Sequence, residues 1–170
     1  MAEGLSFPVT TLWLDPGESV GWAAWVTWTQ PGTRRVRAQP GRFLSGQGPR
    51  HVVLDDFQRF VTRFTSVTVG WEDYVQLPGQ VGDSSALRVI GVLEWLTHVH
   101  HLDTLPPQVS SSRGLGALHL KTLGWQAPGL RDANAAAAHL LTHLFTARRL
   151  PSELLAQITD TLDEEPDGER

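Results

Sequence analysis

Apolar and polar residues alternate at the start of the chain, in a pattern typical of β-strands. Residues 9–14 form one apolar run, and a second run with period two follows at 20–28. Asp15, Pro16 and Gly17 lie between them and form a turn signal, because Pro fixes φ and Gly tolerates positive φ. The pattern predicts a β-hairpin whose first strand ends at Asp15.

Beyond the hairpin, strand-like and helix-like stretches follow one another. We predict a third, edge strand at 36–44, a break at 46–49, helices at 51–64, 86–101 and 131–145, and strands at 65–74 and 105–109. We also predict a polar loop at 110–116, a short amphipathic turn at 117–123 and a last short helix at 151–162. This order predicts an α/β fold whose sheet starts antiparallel and continues parallel.

Two sets of large side chains are expected in the core. The helix at 86–101 would bury Leu87, Ile90, Leu93, Trp95, Leu96 and Val99, although one apolar face does not distinguish a core surface from a partner surface. The strands would bury Trp13, Trp22, Trp28 and Trp71. Trp25 would point to the opposite side, where we favour burial against a helix over stacking on an unpaired base.

Composition narrows the class of protein. With 170 residues, the chain is expected to form one domain with a substantial core. It has no cysteine, which excludes disulfides, zinc–thiolate sites and thiol nucleophiles. The first residues do not resemble a signal peptide, and no uncharged apolar stretch approaches the ~18 residues of a membrane helix. We therefore expect a soluble, cytoplasmic protein.

The net charge of -4 comes from one end of the chain. Residues 160–170 hold six acids and one base, and the remainder, with 13 bases and 12 acids, is nearly neutral. Five arginines are concentrated in a short stretch: Arg34, Arg35, Arg37, Arg42 and Arg50. They form either a solvated hairpin or an edge that contacts phosphates, which would make binding salt-dependent.

Three acids stand out by their positions in the predicted elements. Asp15 ends the first strand, Glu72 lies near the end of a central strand, and Asp132 begins the alanine-rich helix at 131–145. Each acid alone has an ordinary explanation, as a turn residue, a solvated strand end or a helix first-turn aspartate. Neighbouring parallel strands and a helix packed across them could instead bring all three together.

Carboxylates without cysteine suit a hard cation such as Mg²⁺ or Mn²⁺. Two such ions would activate water and stabilise the leaving oxygen in an attack on a phosphodiester. The three acids therefore form a hypothetical two-metal site.

The segments LWLDPGESVGWA, VTVGWEDYV and RDANAAAAHLLTHL occur in this order within residues 9–145. Together they resemble the motifs of RuvC-like Holliday junction resolvases, especially the small resolvase-like nucleases of actinobacterial phages. The resemblance implies a ribonuclease H-like mixed five-stranded sheet flanked by helices, which we assign to residues 1–150. Beyond it, Pro151 predicts a short helix at 151–162, and the charge of residues 163–170 predicts a disordered acidic tail. The resemblance also implies a homodimer that cuts branched DNA with divalent metal.

The resemblance assigns roles to individual residues. Asp15 matches the first-strand aspartate, Glu72 the glutamate of the central strand, and Asp132 the first acid of the C-terminal helix motif. The family commonly has a second aspartate three residues into that motif, where this chain has Ala135. Asn134 is a poor anionic substitute for it.

Three further residues could complete the site. His139 follows Asp132 by seven residues, so it shares its helix face and could reach a metal or the scissile phosphate, or could simply pack between helices. Arg113 is our first choice for the family's basic residue, which would stabilise negative charge at the phosphate, and Lys121 is the second. Either of these two could instead be a surface cation.

The sequence therefore predicts a Mg²⁺- or Mn²⁺-dependent endonuclease for branched DNA such as four-way junctions. The alternative is a resolvase-fold module that binds branched DNA or a protein partner without cutting, and Ala135 motivates it. A third reading is a related nuclease for RNA or RNA–DNA hybrids. Cleavage assays with these substrates distinguish the three.

Overall fold

A computed structural model describes residues 7–29, 41–64, 66–74, 84–109 and 113–163. The strands are β1 (Phe7–Asp15), β2 (Ser19–Thr29), β3 (Arg42–Pro49), β4 (Val67–Trp71) and β5 (Asp103–Thr104). The helices are α1 (Arg50–Arg63), α2 (Ser84–Val99), α3 (Arg113–Thr122), α4 (Arg131–Thr146) and α5 (Ser152–Asp163). Most of the predicted acidic tail, from residue 164 onward, and most of the arginine-rich stretch lie outside the described residues.

The five strands form one mixed sheet in the order β3-β2-β1-β4-β5. β1 pairs antiparallel with β2, and β2 pairs antiparallel with β3. β4 runs parallel to β1, with Leu14 opposite Trp71, and β5 runs parallel to β4. The predicted α/β fold, with an antiparallel start and a parallel continuation, is confirmed. In this arrangement the carboxyl ends of β1 and β4 meet at one edge.

Alternate residues of the strands enter two different cores, because successive side chains point to opposite faces of a sheet. Leu12 and Leu14 belong to the core that α1 and α2 cover, whereas Trp13 belongs to the core that α3, α4 and α5 cover. Asp15 has the same parity as Trp13. The end of β1 therefore directs its carboxylate to the side of the sheet where α4 lies.

Small residues let α4 approach its neighbours closely. The four consecutive alanines at 135–138 are buried, and Gly21 of β2 lies beneath the start of the helix. A Cβ on Gly21 would overlap the backbone carbonyl of Asp132, and a Cβ on Gly116 of α3 would overlap that of Ala138. The predicted smooth, small-residue face of α4 thus brings its backbone into contact with the sheet and with α3.

Three predicted boundaries were wrong. The break expected at 46–49 is strand, because Gly46 lies under the ring of Trp22 and stays paired with β2. The strand expected at 105–109 is Asp103–Thr104, with a separate bridge at Gln108. Arg113, expected in a polar loop at 110–116, is the first residue of α3, and the helix includes the segment predicted as a short turn.

Four residues that were expected in the core are exposed. On α2, Leu87, Trp95 and Val99 are exposed by 47%, 58% and 47%, while the buried positions include Val89, Leu93 and Leu96. Trp28 is 40% exposed, near the end of β2, whereas Trp25 is buried as expected. Among the described residues, no helix is long and apolar enough to cross a membrane.

Candidate active site at the ends of β1 and β4

Two carboxylates meet where β1 and β4 end. Leu14 and Trp71 form the last paired positions of the two strands, and the backbone N–H of Glu72 donates to the carbonyl of Leu14 at 3.1 Å. This bond extends the parallel ladder by one residue and holds Glu72 beside Asp15. The two side chains are close enough to hydrogen-bond to each other.

The two carboxyl groups differ in proton affinity. Burial, followed by the hydrogen bond with Glu72 and its negative charge, raises the pKa of Asp15 from 3.8 to about 7, while Arg113 opposes the shift and Asp132 adds to it. Burial would also raise the pKa of Glu72, but hydrogen bonds from His139 and Asp15 and the charge of Arg113 outweigh it and lower the pKa. Below about pH 7, Asp15 is therefore largely protonated and can donate a hydrogen bond to Glu72.

His139 contacts the acid pair from α4. Its Nε2 lies 3.2 Å from Glu72 Oε2, and its Nδ1 lies 3.0 Å from Oε1 of Gln108. The ring is fully buried and stacks on Trp13 with a centroid separation of 5.5 Å and an interplanar angle of 16°. The stack fixes the plane of the ring, and the two polar contacts fix its direction within that plane.

Arg113 brings a positive charge from the first turn of α3. Its Nη1 lies 3.7 Å from Glu72 Oε2, and the side chain is 37% exposed. Lys121, the alternative basic residue, lies in the last turn of the same helix and is exposed. The structure therefore places the first of the two predicted bases beside the acids and the second two turns away.

The start of α4 is held by a side chain from another strand. Leu130 occupies the N-cap position without a side-chain hydrogen bond. Gln47 Oε1 of β3 instead accepts from the backbone N–H groups of Asp132 at 2.9 Å and Ala133 at 3.2 Å. Because Gln47 satisfies these helix N–H groups, it fixes where α4 begins and therefore where Asp132 lies. Asp132 is close enough to raise the pKa of Asp15.

The neighbouring candidates serve other purposes. The amide of Asn134 accepts from the N–H of Ala127 at 2.9 Å and donates to its carbonyl at 3.0 Å, so it braces the loop before α4. Ala135 is buried and offers no ligand atom. His143 lies one turn beyond His139, and burial lowers its pKa. Asp73 is exposed, as its position on the other side of the strand predicts.

The chemistry of the donors partly fits a hard cation. Within the described residues, no three His, Asp or Glu side chains converge tightly enough to form a complete metal cage. Asp15 and Glu72 nevertheless supply two adjacent carboxylates beside a cavity of about 60 Å³, which Asp73, Tyr74 and Ile90 also line. Mg²⁺ commonly binds one or two carboxylates and keeps several waters, so this pair is a sufficient protein contribution.

Sequence reasoning missed Gln108 and Gln47. Both are uncharged and lie outside the three motifs, and their partners on α4 are 31 and 85 residues away in sequence. Nothing in the sequence around either glutamine indicates that its side chain contacts α4. Only the folded sheet brings these amides to α4.

The fold of this chain is found among solved structures. No protein-family model matches the sequence, and no curated protein matches it. Among solved structures, Thermus thermophilus RuvC in complex with Holliday junction substrate matches with a TM-score of 0.57 and 16% identity, covering 82% of this chain and 96% of that chain. A second Thermus thermophilus RuvC structure gives a TM-score of 0.52 with the same identity and coverage. The chain therefore has the RuvC fold of the ribonuclease H-like class, as its three motifs predicted.

Proposed function

We propose that the protein is a metal-dependent, structure-specific endodeoxyribonuclease that cuts branched DNA such as four-way junctions. The observation that carries the proposal is the pairing of Asp15 with Glu72 at the ends of neighbouring parallel strands, on the side of the sheet that α4 covers. The matched RuvC structure contains Holliday junction substrate, which supports branched DNA as the substrate class.

Each residue of the site has a role in this proposal. Bound Mg²⁺ or Mn²⁺, with two ions in the full site, would supply the activation of water and the stabilisation of the leaving oxygen. Asp15 and Glu72 would hold the cation, and the carboxylate of Asp132, whose charge already acts on Asp15, would add negative charge from the start of α4. Arg113, 3.7 Å from Glu72 and partly exposed, can turn toward a phosphate and stabilise its negative charge.

His139 compensates for the small residue at position 135. It approaches Glu72 from the same helix that carries Asp132, and it is the polar side chain of α4 that reaches the acid pair at hydrogen-bond distance. We propose that Nε2–H of His139 orients the Glu72 carboxylate in the metal-free site, and that the same nitrogen, when it carries no proton, would be a ligand for the cation. Imidazole nitrogen is a poorer ligand for Mg²⁺ than for later transition metals, so we expect Mn²⁺ to support activity better than Mg²⁺.

The exposed apolar face of α2 fits a second copy of the chain. Leu87, Val92, Trp95 and Val99 are all exposed on this helix, while its other face is buried in the core. An apolar patch of this kind on a helix commonly marks a protein interface. We propose a homodimer in which two α2 helices pack together, so that two sites act on one junction.

A labelled four-way junction tests the activity. We expect paired nicks with Mn²⁺ or Mg²⁺ and little cutting of linear duplex of the same sequence. Asp15→Asn should reduce the cutting rate by about 10³-fold or more while junction binding persists, because the metal site loses an anionic ligand. The matched control is Asp55→Asn on the exposed face of α1, on the other side of the sheet, which should cut at the wild-type rate.

The alternative function predicts a different result in the same assay. A binding module would bind the four-way junction but would produce no nicks with either Mg²⁺ or Mn²⁺. Ala135, which leaves the helix motif one acid short, is the observation that favours it. Preferred cutting of an RNA–DNA hybrid would instead indicate a related nuclease with a different substrate.

A further inference from the structure

Gln108 contacts both elements that carry the acid–histidine pair. Its backbone carbonyl accepts from the N–H of Asp73 at 2.8 Å, and it forms a parallel bridge with Glu72. Its side-chain Oε1 lies 3.0 Å from Nδ1 of His139 on α4. One residue thus holds the backbone that positions Glu72 and the ring that contacts the Glu72 carboxylate.

Each of the three residues Glu72, Gln108 and His139 contacts the other two. Glu72 is fixed to Gln108 through the backbone, Gln108 to His139 through its amide, and His139 to Glu72 through Nε2 at 3.2 Å. Each link therefore constrains the other two. A displacement of α4 relative to the end of β4 would break at least one polar contact in a buried region, and such a loss is costly.

The amide fixes a degree of freedom that the aromatic stack leaves open. Stacking on Trp13 sets the plane of the His139 ring, but a half-turn of the ring preserves that plane and exchanges the positions of its nitrogen and carbon atoms. After such a turn Nδ1 would leave Gln108 and Nε2 would leave Glu72. The Gln108 contact therefore selects the orientation in which Nε2 faces the acid.

We propose that Gln108 is a positioning residue, which holds His139 so that its Nε2 faces Glu72 and the cation-binding pair. The inference rests on the proposed function for its catalytic meaning, while the positioning itself is a property of the folded chain. Histidines at metal sites commonly have their second ring nitrogen held by an outer hydrogen-bond partner, and losing that partner typically weakens metal affinity about 10–100-fold.

Two substitutions separate the amide from the backbone of Gln108. Gln108→Met keeps the length and volume of the side chain but removes the polar group, and it leaves the backbone bridge to Glu72 possible. Gln108→Glu keeps an oxygen at the same place. Gln58→Met on the exposed face of α1, on the other side of the sheet, is the matched control for the same chemical change.

Two readouts test the role without depending on DNA cleavage. Titration with Mn²⁺ alone, followed by electron paramagnetic resonance, should show about 10–100-fold weaker binding for Gln108→Met and binding at or above the wild-type level for Gln108→Glu. In the metal-free protein, compared at one fixed pH, the ¹⁵N resonance of His139 Nδ1 should shift in Gln108→Met, because its hydrogen-bond partner is lost. Gln58→Met should change neither.

Unchanged Mn²⁺ affinity in Gln108→Met, or an unchanged Nδ1 resonance, would overturn the inference. If Gln108→Met does not fold, Gln108→Ala removes the same amide and is judged by the same two readouts. The proposed function fails separately, when the wild-type protein cuts no junction. In that case the Nδ1 resonance still decides whether Gln108 positions the ring.

Discussion

At the scale of single residues, the site consists of two similar carboxyl groups in different surroundings. Glu72 has His139 and Arg113 beside it, which lower its pKa, whereas burial and the proximity of Glu72 raise the pKa of Asp15 to about 7. The sequence could place both acids, because each ends a strand with clear alternation. It could not assign the different proton affinities, which depend on residues from α3 and α4.

The raised pKa of Asp15 predicts a cost to stability. Between the ordinary value of 3.8 and about 7, the folded state binds a proton that the unfolded state lacks, so the free energy of unfolding falls as the pH rises through this window and then levels off. Asp15→Asn removes this dependence and should stabilise the metal-free protein at pH 8 by about 2 kcal/mol, allowing for partial exposure.

Urea denaturation at several pH values measures this effect. The difference between the wild-type protein and Asp15→Asn should grow from pH 4 to about pH 7, as the pKa of Asp15 requires. A difference that stays constant over this range would show that Asp15 has an ordinary pKa. Asp55→Asn, at an exposed position of α1, controls for the general effect of removing an acid.

At the scale of elements, the β1–β2 hairpin and α4 were predictable, because their periodic patterns extend over many residues. The continuation of β3 through Gly46 and Gly48 was not, since glycine is a turn signal in sequence and the contact with Trp22 is visible only in the sheet. The start of α3 at Arg113 was missed for a similar reason, because the preceding serines and the glycine at 114 suggested a loop.

The close approach of β2 and α4 predicts a specific effect of a single methyl group. Gly21→Ala would place a Cβ against the Asp132 carbonyl, so the helix must move away from the sheet. We expect a loss of about 1–3 kcal/mol of stability and weaker Mn²⁺ binding, because Asp132 and His139 move with the helix. Urea denaturation and metal titration measure the two effects.

The matched control is a glycine with open space around it. Gly114→Ala in α3 meets no atom within 4 Å, so it should be neutral or stabilise by about 0.5–1 kcal/mol through helix propensity. Equal effects of the two substitutions would contradict the packing argument.

The exposed face of α2 predicts the oligomeric state. If two α2 helices pack together, Trp95→Asp places a charge in the interface and should convert a dimer to a monomer in sedimentation experiments. Leu118→Asp on α3 alters a side chain with 39% exposure on the other side of the sheet and should leave the dimer intact. A wild-type protein that is monomeric at about 100 μM would rule out this interface.

At the scale of the whole molecule, the sheet order determines where chemistry can occur. β1 is paired with both β2 and β4, so the end of one central strand receives groups from a parallel neighbour and from helices on one face. The element order was sufficient to predict this edge of the sheet. The long-range contacts of Gln47 and Gln108 were not predictable, because they join residues that no local pattern relates.

The most direct test of the account is a crystal structure of the protein soaked in Mn²⁺, with the ion located by its anomalous scattering. We expect the ion between the carboxylates of Asp15 and Glu72, and no ion at this place in Asp15→Asn. An ion bound only elsewhere, under conditions in which the wild-type protein cuts a four-way junction, would contradict the proposed site.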